Sequence, residues 1–134
     1  MLKNLLNKSL DLIKMPIFVV QFHKATHDHY DFRLEIEGVL RSWAVPKPPP
    51  LNKETKRLAI QVDDHALSYA KFEGEIKEGY GKGTVKIWDK GTCELDSLKP
   101  KKIVFYLKGK KMKGKYVLLK TSYGKNSWLL MKMD

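Results

Sequence analysis

The run Ile17-Phe18-Val19-Val20-Gln21-Phe22-His23, followed by His29-Tyr30-Asp31-Phe32-Arg33-Leu34-Glu35-Ile36, decides the class of the fold. Both halves alternate with a period of two. Phe18, Val20 and Phe22 stand against Val19, Gln21 and His23, and Tyr30, Phe32, Leu34 and Ile36 stand against His29, Asp31, Arg33 and Glu35. Side chains two apart on a strand share a face, so each half reads as a strand with one apolar side. A slip of one residue would carry the charged set of the second strand into the core, and its register is therefore strongly specified.

Outward from this pair the same period recurs at residues 39–45, 57–62, 84–89, 102–108, 115–121 and 127–133. Turn chemistry separates many of these segments: Glu37-Gly38, Lys90-Gly91, Gly109-Lys110 and Gly124-Lys125-Asn126. About eight short strands with little helix predict a mainly β protein, a compact β-barrel or sandwich with most edges paired. Before the first strand, Leu2, Leu5, Leu6, Ser9, Leu12 and Ile13 recur at helical spacing up to Pro16. The expected organisation is thus a short helical extension over residues 1–16 and one β domain over 17–134. Pro46-Lys47-Pro48-Pro49-Pro50 is a stiff loop, since each proline fixes φ and lacks a donor. Gly79-Tyr80-Gly81-Lys82-Gly83 reads as a sharp turn, with neither Walker A nor dinucleotide-binding spacing.

A chain of 134 residues fits one domain with a core. Its one cysteine, Cys93, offers no internal disulfide, and residues 1–14 lack the continuous apolar centre of a signal peptide. Both features predict a cytoplasmic protein without membrane attachment. The net charge of +11 is unevenly spread: residues 99–134 hold eleven lysines and one acid, the preceding 98 residues 15 basic against 14 acidic. Such a field attracts polyanions, although a lysine-rich surface can also serve solubility alone.

The charged face of residues 29–35 carries the chemistry. His29 and Asp31 share it, and His23 ends the preceding strand, across a short loop from them. Two imidazoles and a carboxylate form a mixed nitrogen and oxygen site suited to Mn²⁺, Zn²⁺ or Fe²⁺. His27 and Asp28 are alternative ligands within the same stretch, His27 being the expected bystander in the loop. Arg33 beside a cation is unfavourable unless an anion bridges the two, which a phosphate can do; a salt bridge to Asp31 or Glu35 is the plainer alternative. Asp63-Asp64-His65 is a second cluster, in which the acids can orient the imidazole for proton donation. Acid-rich strand ends before a turn are common, so this cluster is ambiguous by itself.

Taken together, Gln21-Phe22-His23 … His29-Tyr30-Asp31-Phe32-Arg33-Leu34-Glu35 resembles the signature of the DNA 3′-phosphoesterase family. That family includes the phosphoesterase module of the bacterial end-joining DNA ligase D and free-standing archaeal and bacterial relatives. The resemblance continues through Ser42-Trp43-Ala44-Val45-Pro46-Lys47, Lys56-Arg57-Leu58-Ala59, Val62-Asp63-Asp64-His65, Phe72-Glu73-Gly74, Gly79-Tyr80-Gly81-Lys82-Gly83 and Ile87-Trp88-Asp89. It implies a β-barrel and Mn²⁺-dependent hydrolysis at the 3′ ends of DNA or RNA primer strands, with Zn²⁺, Co²⁺ or another divalent ion as alternatives to Mn²⁺. The activity implied is removal of a 3′-terminal ribonucleoside and then of the exposed 3′-phosphate, in DNA repair by end joining. By motif position, His23, His29 and Asp31 are the implied metal ligands, Arg33 and His65 the phosphate-contacting catalytic residues, and Tyr69 a further active-site residue. Lys47 and Arg57 are the implied phosphate or strand contacts. Residues 1–16 do not resemble the charged segment that precedes this core in fused members, so phosphate removal is the more securely implied step. A DNA ligase is then expected as a separately encoded partner.

Two other readings compete with this one. A non-catalytic nucleic-acid-binding barrel would use the basic strands as a groove, with Tyr106, Tyr116, Tyr123 and Trp128 to stack on bases. It leaves the His/Asp/Arg face without purpose. A metal-dependent hydrolase of small molecules fits the site and leaves the basic strands without purpose.

Overall fold

The computed structural model describes residues 15–134, and the helix expected over residues 2–13 lies outside them. Nine strands follow in order: β1 (Ile17–Lys24), β2 (His29–Ile36), β3 (Val39–Val45), β4 (Lys56–His65), β5 (Gly74–Ile76), β6 (Gly83–Lys99), β7 (Lys102–Gly109), β8 (Lys113–Lys120) and β9 (Ser127–Lys132). A one-turn 3₁₀ helix, Leu67–Lys71, precedes β5. No helix among the described residues is long and apolar enough to cross a membrane.

All strand pairs are antiparallel. The order β1-β2-β3-β4-β9-β8-β7-β6 closes on itself because β1 also pairs with β6, and β5 hangs on the far side of β6. The protein is thus an almost wholly β molecule built on a closed ring of eight strands. Inward residues of every ring strand form one core: Phe18 and Val20, Phe32 and Leu34, Trp43, Ala59, Cys93, Phe105, Tyr116 and Leu118, Trp128 and Leu130. Trp43 and Trp128 meet edge to face at 5.9 Å, the arrangement their ring quadrupoles favour. Burial holds the Cys93 thiol up at about 12, so it acts as a small apolar core residue.

Three elements differ from the sequence expectation. Lys90-Gly91 is no turn; β6 runs on through it to Lys99. Glycine is needed there because a Cβ would fall 2.0 Å from the Lys108 carbonyl oxygen on β7. β5 was not expected, being a three-residue strand without apolar alternation. Asp63-Asp64-His65 belongs to β4 instead of following it.

The outward face of β1 to β3 is not bare. Val19 and Leu40 pack there under Ala70, Leu67 and Tyr69 of the 3₁₀ segment, forming a second, smaller apolar cluster. The segment 66–82 therefore roofs part of the ring's outer wall and turns the rest of it into a cleft.

Candidate metal centre

Strand register lays the outward side chains of β1 to β4 out as a grid. His23 pairs with His29. The next row runs Gln21, Asp31, Ala44, Ile60, the next Val19, Arg33, Ser42, Val62, and the last Glu35, Leu40, His65. His65 joins this face through a bulge. Ser42 faces Val62 and Leu40 faces His65, so β4 advances three residues where β3 advances two. The extra residue reverses the alternation and aims the imidazole outward with the rest of the site.

One ligand atom from each of His23, His29 and Asp31 lies within 4.8 Å of the other two, so the group can hold a metal ion. The backbone settles which atoms these are. His23 Nε2 donates to the Gly81 carbonyl at 2.6 Å, leaving Nδ1 facing Asp31 Oδ2 at 3.7 Å. His29 Nδ1 donates to the His27 carbonyl at 3.0 Å, leaving Nε2 at 3.4 Å from Asp31 Oδ1. Each ring is thus held by one nitrogen while the other offers its lone pair toward the carboxylate, the usual arrangement around a metal. That chemistry fits a divalent cation. His27 contributes its carbonyl and no ring nitrogen to the group, and Asp28 instead accepts the Ala25 amide at 3.1 Å.

Arg33, 3% exposed, is held from three sides: Nε donates to Gln21 Oε1 at 2.7 Å, Nη1 to Ser42 Oγ at 2.8 Å, and Nη2 lies 3.4 Å from Asp31 Oδ2. Gln21 also donates through Nε2 to the Tyr69 and Phe72 carbonyls at 2.9 and 3.2 Å, tying the roof to the arginine. Tyr69 lies beneath the guanidinium, 4.9 Å from its ring centre, and stacks on His65 at 4.4 Å.

The electrostatics follow from this packing. Burial works to raise the Asp31 carboxyl, but His29, Arg33 and His23 outweigh it and hold it below the ordinary range. The contact with Asp31 raises His29 against its burial. Burial, then the charge of Arg33, lowers His65, leaving it neutral at pH 7; burial raises Tyr69.

A cleft of about 790 Å³ opens over these groups, lined by His23, His29, Asp31, Arg33, His65 and Tyr69. Its floor across β3 and β4 is apolar, formed by Ala44, Pro46, Ile60 and Val62. Six of the eight sequence-derived site residues thus share one cavity. Lys47 and Arg57 do not line it: Lys47 is exposed beside Pro46, and Arg57 Nε donates to the Pro48 carbonyl at 2.6 Å, bracing the proline loop. Gln21 and Ser42, which fix Arg33, had no role in the sequence reading. For Gln21 the signal was an uncharged polar side chain at the parity of His23 on β1; Ser42 joins the site as the cross-strand partner of Arg33, which only the register of β2 and β3 reveals.

Fold and site together define an all-β ring protein with a candidate divalent-metal centre on its outer wall. The family model of the DNA ligase D 3′-phosphoesterase domain matches residues 21–120, and the chain belongs to that family. It is 49% identical over 123 residues to the multifunctional non-homologous end joining protein LigD of Pseudomonas aeruginosa, covering 86% of this chain. The corresponding DNA repair protein LigD of Mycobacterium tuberculosis is 46% identical over 110 residues, and LigD of Mycolicibacterium smegmatis 41% over 128 residues. These alignments cover 78% and 87% of this chain. The chain spans only 14–16% of the length of these relatives.

Proposed function

We propose that this protein is a Mn²⁺-dependent phosphoesterase that heals the 3′ ends of nucleic acid strands in DNA repair, removing 3′-phosphates and 3′-terminal ribonucleosides. The observation that carries the reading is the geometry of Arg33. A guanidinium is fixed beside a cation-binding group, an arrangement that becomes favourable when a phosphate bridges the two. Family membership supports the same chemistry, and the end-joining role in the relatives' names supports a DNA ligase as the next enzyme on the healed end.

His23, His29 and Asp31 would hold the ion, which supplies Lewis acidity and a water of lowered pKa. Arg33 presents its fork to the phosphate without reorganising, because Gln21 and Ser42 have already oriented it. His65, stacked on Tyr69, donates a hydrogen bond to a phosphoryl oxygen; a dianion beside it offsets the charge of Arg33 that, after burial, lowers the imidazole pKa in the free protein. Tyr69 supports both groups from one ring. Ala44, Ile60 and Val62 form an apolar floor suited to the sugar attached to the phosphate.

The test is a 5′-labelled primer-template ending in a 3′-phosphate or in one ribonucleotide, incubated with and without Mn²⁺. Loss of the phosphate only when the ion is present is the expected result. Intact 3′ ends with Mn²⁺, Co²⁺ and Zn²⁺ alike would end the proposal.

A further inference from the structure

We propose that Tyr80 is a base-stacking residue that holds the nucleotide bearing the scissile phosphate; this inference rests on the function proposed above. Tyr80 lines the cleft, yet its side chain is fully exposed, with a relative accessibility of 107%. A single exposed aromatic ring is ordinary on a protein surface; what sets Tyr80 apart is that it lines the cleft from a turn hydrogen-bonded to His23.

The loop that carries it is braced. Gly79 and Gly81, on either side of Tyr80, both have left-handed φ, 84° and 88°, which makes Tyr80 the tip of a sharp turn closed by Lys82 N–H donating to the Gly79 carbonyl at 3.3 Å. The Gly81 carbonyl accepts His23 Nε2 at 2.6 Å, fastening the tip to a metal-binding residue. Behind it, Gly83 lies so close to β1 that a Cβ would stand 2.0 Å from the Lys24 carbonyl oxygen. Such a turn holds its ring at the lip of the cleft that Arg33 and His65 also line. Lys82, exposed and also lining the cleft, adds a cation beside the ring.

A planar, sequence-tolerant partner fits this platform best. Every base has a π-face, and an end-healing enzyme must accept any base at the end it repairs. A hydrogen-bonding reader would instead be polar and oriented by neighbours, whereas no hydrogen bond to the Tyr80 hydroxyl occurs among the described residues.

The experiment compares the wild type with Tyr80→Ala, Tyr80→Phe and Tyr80→Trp. Two 3′-phosphate primer-templates are used, differing only in whether the phosphate-bearing nucleotide carries a base or is abasic. Tyr80→Ala is expected to raise KM about ten-fold on the base-bearing end, with kcat within about two-fold. On the abasic end it should match the wild type, and Tyr80→Phe and Tyr80→Trp should retain wild-type KM on both. An unchanged KM in Tyr80→Ala, an equal loss on both ends, or a loss in Tyr80→Phe as large as in Tyr80→Ala would each overturn the proposal. A wild type that releases no phosphate from either end refutes the function instead. Stacking is then decided by quenching of a terminal 2-aminopurine, present with the wild type and absent with Tyr80→Ala if the inference holds; equal quenching overturns it.

Discussion

Asp31 and Asp89 are both buried carboxylates on ring strands, 7% and 4% exposed, and they are satisfied in opposite ways. Asp89 receives four backbone amides: Lys90 and Lys110 on Oδ1, each at 2.9 Å, and Lys111 and Met112 on Oδ2 at 3.1 and 2.8 Å. Its charge is spent on closing the β7–β8 turn, and nothing is left for a ligand. Asp31 faces side chains alone, at 3.4 to 3.7 Å, and two of these are imidazoles whose N–H groups are already committed to carbonyls. A carboxylate surrounded by backbone donors is scaffold. One surrounded by imidazole lone pairs and an arginine still has room for a partner, and a cation can complete it.

The largest effect should come from the open site. His29→Ala at subsaturating Mn²⁺ is expected to cut phosphate release by about 10³-fold, while urea denaturation shows less than about 1 kcal/mol of lost stability. His27→Ala is the control and should leave turnover intact. Undiminished turnover in His29→Ala would remove the distinction between the two carboxylates. Asp89→Ala inverts the pattern. With four amides left without an acceptor it should cost about 3–5 kcal/mol of stability, read as a lower urea midpoint, and the folded fraction should keep its specific activity.

Gln21→Leu sharpens the comparison within the site. Removing the acceptor of Arg33 Nε should lower kcat roughly 10- to 100-fold and leave Mn²⁺ affinity unchanged, because the Gln21 side chain hydrogen-bonds the arginine and the roof carbonyls but none of His23, His29 and Asp31. A shift in Mn²⁺ affinity as large as the loss in kcat would mean that the arginine and the metal group are one unit. The smallest effect is expected at the turn that Asp89 closes. Changing Lys110, Lys111 and Lys113 together to Gln tests whether it meets the nucleic acid. Lys111 is already engaged, its ammonium on the Trp88 carbonyl at 3.0 Å and 4.4 Å from the ring centre. The salt slope of binding should therefore become shallower by up to about two contacts at 0.9 each, not three. An unchanged slope would place the strand-binding surface elsewhere.

Much of the site was legible because it lies on adjacent strands. His23, His29, Asp31 and Arg33 fall within 11 residues of sequence (23–33), and period two alone brings the last three to one face. His65 was harder: strict alternation puts it opposite to Val62, and only the bulge in β4, which no local residue signals, brings both to the same face. Gly91 misled for a related reason. A glycine required by a neighbouring backbone and a glycine required by a turn look identical in sequence. Asp89 was read only as the end of the strand 84–89, since three of its four amides come from a segment more than twenty residues away.

The closure of the ring also dictates an order of events during folding. β9 lies between β4 and β8, and its partners on β4 are some 70 residues earlier, as in the pairing of Lys56 with Met131. β1 must likewise find β6 across a comparable separation, Phe18 with Gly91. While the chain emerges from a ribosome, β1 to β4 can pair as a meander, but β4 keeps an open edge until residues 127–132 have been made. Non-local closure of this kind is slow, and the open edge is prone to pairing with other chains while it lasts. A nascent chain arrested before β9 should accordingly be protease-sensitive and sticky even though every residue of the cleft has already been synthesised.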